Sequence, residues 1–194
     1  MSFHASSLRA TLLPASNALT NTLSIGAGAI FLSALAQISI PIPGSPVPVT
    51  GQSLGVVLIA SSFGAGLGFA TFATYLLVGI AGGPVFAGAS SGIEKVTGAT
   101  GGYLIGMLVA TYLLGLLANH RMDQKFITSL PSMLVANLII FSFGLIWLHH
   151  FTGKDWRWTI NAGLTPFIVG EVLKMIIAGT SLPILWRVIK RKSN

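Results

Sequence analysis

Apolar runs of roughly 20 residues dominate this chain, each interrupted by a short cluster of proline, glycine or polar residues. The first run covers about 22–40 and ends in Pro41-Ile-Pro-Gly-Ser-Pro-Val-Pro48. Four prolines in eight residues cannot continue a helix. A second run begins at Gln52, meets Gly64, Gly66 and Gly68, and continues to about residue 81. Length alone does not decide whether this is one long bent helix or two short ones. A Gly/Ser-rich loop follows (82–100), then a run over 101–118, the polar turn from Asn119 to Lys125, a run over 130–149, the polar loop from Thr152 to Arg157, and a last run over 164–186. About 20 apolar residues suffice for a helix to cross a bilayer.

Composition fixes the solvent. The chain is 53% hydrophobic and 8% charged, against about 25% charged in soluble domains. Between Arg9 and Glu94 there is no charged side chain. Such a chain places most of its surface against lipid. The absence of cysteine excludes disulfides and thiolate metal sites. The stretch from Met1 to Asn17 reads as a cytoplasmic tail rather than a secretory signal. The net charge of +7 sits at helix ends and in the C-terminal tail, as the positive-inside rule expects, and does not point to nucleic acid.

Charge also resolves the run after Gln52. If Arg9, the Arg121/Lys125 turn and the C-terminal Arg187, Lys190, Arg191 and Lys192 are all cytoplasmic, the crossings between Arg9 and Arg121 must be even in number. Division at Gly64 satisfies this. The expected spans are then 22–40, 52–63, 65–81, 101–118, 130–149 and 164–186, an all-α bundle of six transmembrane helices with both termini cytoplasmic and 1–194 as a single domain. Lys95, Lys154 and Arg157 face outward, and Lys174 lies within a span.

The last run contains Thr165-Pro-Phe-Ile-Val-Gly-Glu171-Val-Leu-Lys174. Ionisable groups inside a lipid-crossing helix cost about 2.5–3.5 kcal/mol each on insertion scales and usually mark function. Glu171 and Lys174 are three residues apart, on one helix face, about 10 Å below the outer start of the helix. The plain alternative is a mutually neutralising pair that only locks the bundle. In the loop Gly83–Gly92, glycines such as Gly88 allow close backbone approach, Ser90 and Ser91 offer hydroxyls, and Phe86 is the one aromatic; a plain connection is the alternative. Thr50 and Gln52 open the second span, where Thr50 can cap the helix or Gln52 can hydrogen-bond a ligand. Tyr103 opens the fourth span in a similar position, with its hydroxyl a possible contact. Ala29 and Ser33, four apart, permit close helix approach in lipid. His149-His150 lacks a second cluster of metal ligands. Walker, zincin and nucleophile-elbow motifs are absent.

Taken in order, Ala36-Gln-Ile-Ser-Ile-Pro41, Pro46-Val-Pro-Val-Thr-Gly-Gln52, Gly83-Pro-Val-Phe-Ala-Gly88, Thr100-Gly-Gly-Tyr103 and Gly170-Glu-Val-Leu-Lys174 resemble the BioY family, the biotin-specific S components of energy-coupling factor (ECF) transporters. The resemblance extends over nearly the whole chain after Thr22. It implies a six-helix S-component fold in a prokaryotic cell membrane and capture of biotin in an outward-facing pocket. It also implies docking to a transmembrane coupling subunit with two cytoplasmic ATPases, which alone use ATP, and no cofactor or enzymatic activity. Family members usually carry Asp where this chain has Glu171, one methylene longer. Their small-residue docking pattern maps onto Ala29 and Ser33.

Biotin's chemistry suits these residues. Glu171 can accept from a ureido N–H. Lys174 can donate to the ureido oxygen or pair with the valerate carboxylate. Phe86 and Tyr103 can cover the apolar ring. Competing expectations are a self-sufficient biotin carrier, an S component for another vitamin, and a membrane enzyme with Glu171 as general base; the last lacks a nucleophile or metal cluster.

Overall fold

The computed structural model describes residues 7–12 and 17–192, with the side chains of 12 and 190–192 left out. The expected N-terminal tail therefore falls largely outside the described residues, as do the side chains of Lys190, Arg191 and Lys192. The described chain forms α1 (Leu8–Leu12), α2 (Ala18–Gln37), β1 (Ser39–Ile40), β2 (Val49–Thr50) and α3 (Gln52–Ile80). It continues as α4 (Ile93–Thr97), α5 (Gly101–Asn119), α6 (Phe126–Thr152), α7 (Trp156–Gly163) and α8 (Ile168–Lys192). Among the described residues, five helical stretches are long and apolar enough to cross a membrane: α2, α3, α5, α6 and the joined α7–α8 segment to Ile189.

Local chemistry sets the ends. Asn17 accepts from the Thr20 amide while the Thr20 hydroxyl accepts from the Asn17 amide, a reciprocal capping box that starts α2. Past Gln37 the chain turns extended, and the proline stretch lies between two paired strands rather than in a plain loop. Ser39 pairs with Thr50 and Ile40 with Val49, antiparallel. Gly153, in the left-handed region at φ 64°, ends α6. Asp155 then accepts from the Trp158 amide at 2.8 Å and caps α7. The sequence reading left 156–163 as the connection into the last span; the structure makes it a separate short helix.

Gly64 decides the middle of the bundle. Its φ of 76° and ψ of −177° interrupt the α3 helix, a combination essentially confined to glycine. The chain turns back on itself there. Gln52 Nε2 lies 2.6 Å from Tyr75 Oη, 23 residues later, whereas a straight helix would separate them by about 34 Å. α3 is thus two antiparallel arms, Gln52–Phe63 and Ala65–Ile80. A side chain at Gly64 would strike Asn119, at the end of α5. Glycine also permits close packing elsewhere: a Cβ on Gly115 would lie 2.6 Å from the Ala65 backbone, and one on Gly106 2.9 Å from Ile140 Cα.

The elements sort to two ends. The Gly64 turn, Ser7 and Asn119 meet at one, where Trp186 Nε1 also donates to Asp123. The β-hairpin, the 81–100 segment, α7 and the start of α8 gather at the other, tied by Trp147 Nε1 to the Gly98 carbonyl (2.8 Å) and Tyr103 Oη to the Gly163 carbonyl (2.8 Å). Between the ends a buried core runs through Leu32, Val56, Phe72, Leu114, Ile140 and Leu182. The outside is just as apolar: Ile30, Leu138 and Val169 are 72%, 60% and 71% exposed. That surface belongs in lipid.

Candidate functional site

The second end contains a cavity assembled from six parts of the chain. The hairpin supplies Pro46, Val47, Pro48 and Thr50; the start of α3 supplies Gln52 and Ser53. The 83–100 segment adds Phe86, Ala87, Ser90, Lys95 and Thr100. Tyr103, Leu104 and Met107 of α5, Ile140 and Phe141 of α6, and Phe167 and Glu171 complete it.

One side is a dense polar cluster. The helical register from Pro166 brings Glu171 inward, where it is 7% exposed. Its Oε1 accepts from Ser53 Oγ at 2.8 Å and from Lys174 Nζ at 2.7 Å. Lys174 also donates to Ser53 Oγ at 2.9 Å and to the Thr50 carbonyl at 2.6 Å. Three protons meet three acceptors, so the ammonium is fully satisfied. Among the described residues, Glu171 Oε2 accepts no hydrogen bond. The carboxylate therefore presents one engaged oxygen and one open acceptor at the cavity, with its charge balanced by Lys174 behind it. The short i,i+3 ion pair lies largely out of solvent, which is tolerable only because each partner is further hydrogen-bonded.

Gln52 extends this cluster. Its Oε1 accepts from Thr50 Oγ1 at 3.0 Å and its Nε2 donates to Tyr75 Oη at 2.6 Å. Gly51 is the cap residue of α3, without a side-chain cap bond of its own, while Thr50 Oγ1 accepts from the Gln52 amide at 3.4 Å. Opposite chemistry comes from aromatic rings. Tyr103 stacks on Phe167 (centroids 6.2 Å, 18°) and meets Phe141 edge-on (6.0 Å, 87°). Phe86 is 3% exposed and packs edge-on against Tyr75 (5.5 Å, 84°). Lys95 lines the cavity from the exposed side and has no ion-pair partner among the described residues.

Seven residues named from the sequence thus line one cavity or its polar cluster: Glu171, Lys174, Thr50, Gln52, Phe86, Ser90 and Tyr103. Several roles change. Lys174 does not line the cavity; it stands behind Glu171. Tyr103 lines the cavity with its hydroxyl donating to the Gly163 carbonyl. Ser90 Oγ donates to the Ala87 carbonyl at 2.8 Å. Gly88 and Ser91 do not line the cavity; Gly88 makes a left-handed turn at φ 70°. Ala29 is only 9% exposed and packs in the chain's own core, and the half-buried Ser33 hydroxyl is bonded to the Ala29 carbonyl at 2.7 Å. Ala29 faces inward because the helical turn that exposes Ile30 buries its neighbour. Sequence reasoning missed Ser53, Lys95, Phe141 and Phe167. Lys95 carried a signal, as a lone cation in a small-residue loop. His149 stacks on Trp156 (4.1 Å, 16°), and no metal cluster forms among the described residues.

A lipid-embedded helix bundle with a polar and aromatic cavity sunk into one end defines a membrane protein built to hold a small amphipathic solute. Residues 8–191 match the BioY family, and the chain belongs to it. It is 38% identical to the biotin transporter BioY2 of Lactococcus lactis over 155 residues, covering 79% of this chain and 82% of that protein. It is 36% identical to the biotin transporter BioY of Thermotoga maritima over 139 residues, 72% and 80% of the two chains. Its fold is shared with a crystal structure of the S-component for biotin from an ECF-type ABC transporter, at a TM-score of 0.79 and 23% identity, covering 89% of this chain and 95% of that one. This is a multi-pass membrane transport protein, not an enzyme.

Proposed function

We propose that this chain is the biotin-capturing S component of an ECF-type uptake system. The observation that carries the reading is the open Glu171 oxygen, set in an otherwise satisfied polar cluster facing an aromatic wall. A ureido ring offers N–H donors to Glu171. The fused apolar rings suit the Tyr103, Phe141, Phe167 and Phe86 surfaces. A valerate carboxylate directed to the exposed side meets Lys95. Lys174 then positions Glu171 and the hairpin through the Thr50 carbonyl instead of holding the vitamin directly. Gln52, Thr50 and Ser90 contribute remaining polar contacts.

The proposed topology has six crossings and cytoplasmic termini. The reversal at Gly64 makes two crossings of α3, and the Arg121/Lys125 turn shares an end with it. The Gln52–Phe63 arm is only about 18 Å long against a hydrocarbon core of about 30 Å, which sinks the polar cluster below the outer surface. A transmembrane coupling subunit would dock on the outer face of α2, where Ala27, Ile30 and Ala34 are exposed, with two cytoplasmic ATPases consuming the ATP. The setting is the cytoplasmic membrane of a prokaryotic cell.

Equilibrium binding to detergent-purified protein tests this: biotin binds, and thiamine and riboflavin do not. Absence of biotin binding would sink the reading. Uptake in cells with and without the coupling module separates an S component from a self-sufficient carrier.

A further inference from the structure

The 83–92 segment brings Phe86, Ala87 and Ser90 to the cavity; the buried Phe86 ring packs on Tyr75, and the amides of Gly83 and Gly92 tie the two ends to the carbonyls of Val78 (2.9 Å) and Gly79 (2.8 Å). Its internal bonds run from the Val85 amide to the Gly83 carbonyl (2.8 Å), from the Phe86 amide to the Ser90 carbonyl (3.0 Å) and from Ser90 Oγ to the Ala87 carbonyl (2.8 Å). Among the described residues, the only side chain outside the segment that hydrogen-bonds 84–90 is Gln37, the last residue of α2. Gln37 Nε2 donates to the carbonyls of Phe86 (3.1 Å) and Val85 (3.4 Å), and Gln37 Oε1 accepts from the Ala89 amide (2.8 Å). The same Nε2 reaches the Ser33 carbonyl (3.1 Å), which roots the amide on α2. A second observation concerns what is held. Ala89 has φ 54°, a left-handed conformation that an alanine rarely keeps unless its surroundings impose it. Its own amide donates to Gln37 Oε1.

We propose that Gln37 is a positioning residue that latches the Phe86–Ser90 segment over the cavity and so sets how long a bound solute stays. The inference rests on the biotin reading for its ligand, but the latch itself is a property of the ligand-free protein. Gln37 does not itself line the cavity; it acts through the backbone that carries Phe86. With both ends of one amide engaged, removing it frees two carbonyls and one amide at once and releases the strained Ala89. The consequence falls on escape more than on entry, because the segment must move for a covered solute to leave.

The test follows exchange of labelled biotin from detergent-purified protein, chased with unlabelled biotin. In Gln37→Leu the dissociation rate rises on the order of tenfold, from loss of two or three modest hydrogen bonds, while association stays within about twofold. Gln37→Glu keeps the acceptor for Ala89 but loses the donors, and gives an intermediate rate. The natural chain has no cysteine, so Ala87→Cys supplies a readout without biotin: maleimide labelling accelerates when Gln37→Leu is added. Unchanged dissociation and unchanged labelling in Gln37→Leu overturn the latch. So does a matched loss of association and thermal stability in both variants, which marks a general structural role. If wild-type protein binds no biotin while the labelling still accelerates, the function reading falls and the latch stands.

Discussion

The Lys174 ammonium has no proton to spare: Thr50, Ser53 and Glu171 take all three. This separates two roles that look equivalent in the sequence. Glu171→Gln removes the open anionic acceptor and is expected to weaken biotin binding about tenfold to a hundredfold, the range for a hydrogen bond to a charged group, measured by calorimetry. Lys174→Ala weakens it as well, through a misplaced and unpaired Glu171; unchanged affinity in that variant would refute the site. Tyr103 gives a sharper contrast. Tyr103→Phe keeps the ring against Phe167 but leaves the Gly163 carbonyl without its donor, so affinity stays within about threefold while stability drops by about 1 kcal/mol. Lys95→Ala is expected to lower affinity for biotin but not for biotin methyl ester, because only the free carboxylate meets the ammonium. The legibility of these residues follows from chemistry. Two ions in an apolar helix are rare enough to be conspicuous. Phe141 and Phe167 are ordinary in apolar runs, and only the packing of α6 against α8 turns them toward one cavity.

Among the elements, the interrupted α3 was visible as a glycine cluster but its geometry was not. Charge parity required a turn in this run, and the sequence reading divided it at Gly64, the first of three glycines. Its geometry follows from the positive φ at Gly64 and from the close approach of Asn119, which leaves no space for a Cβ. Gly64→Ala is expected to destabilise the protein by roughly 1–3 kcal/mol, read as a lower unfolding temperature in detergent. Gly66→Ala is the control, since a Cβ there meets nothing within 4 Å. The α7 helix escaped the sequence reading because Asp155 and Arg157 made its start look like a polar loop, whereas Asp155 is the cap that begins it. On α2, neighbouring positions divide between lipid and core: Ile30 is exposed while Ala29 is buried. Substituting Ala34→Trp on the exposed side is expected to reduce energised uptake while leaving binding to purified protein unchanged.

At the scale of the whole molecule, the class was legible from the near absence of charge, since no arrangement of so few ions covers a soluble surface. The proposed orientation is checked by single cysteines in the cysteine-free chain: Ser91→Cys should label with an impermeant reagent from outside, and Lys125→Cys only after the membrane is opened. The cavity's layout has one more consequence. Glu171 and Lys174 lie deep but cancel each other, while Lys95, the proposed partner for a solute's own charge, stays at the exposed rim. A vitamin entering with its neutral ring first would leave its carboxylate outside most of the transmembrane electric field. A full elementary charge crossing that field involves about 2.3 kcal/mol per 100 mV; here only a small fraction of that work is done. Capture should therefore be nearly indifferent to membrane potential, and a polarised vesicle should bind biotin as tightly as a depolarised one.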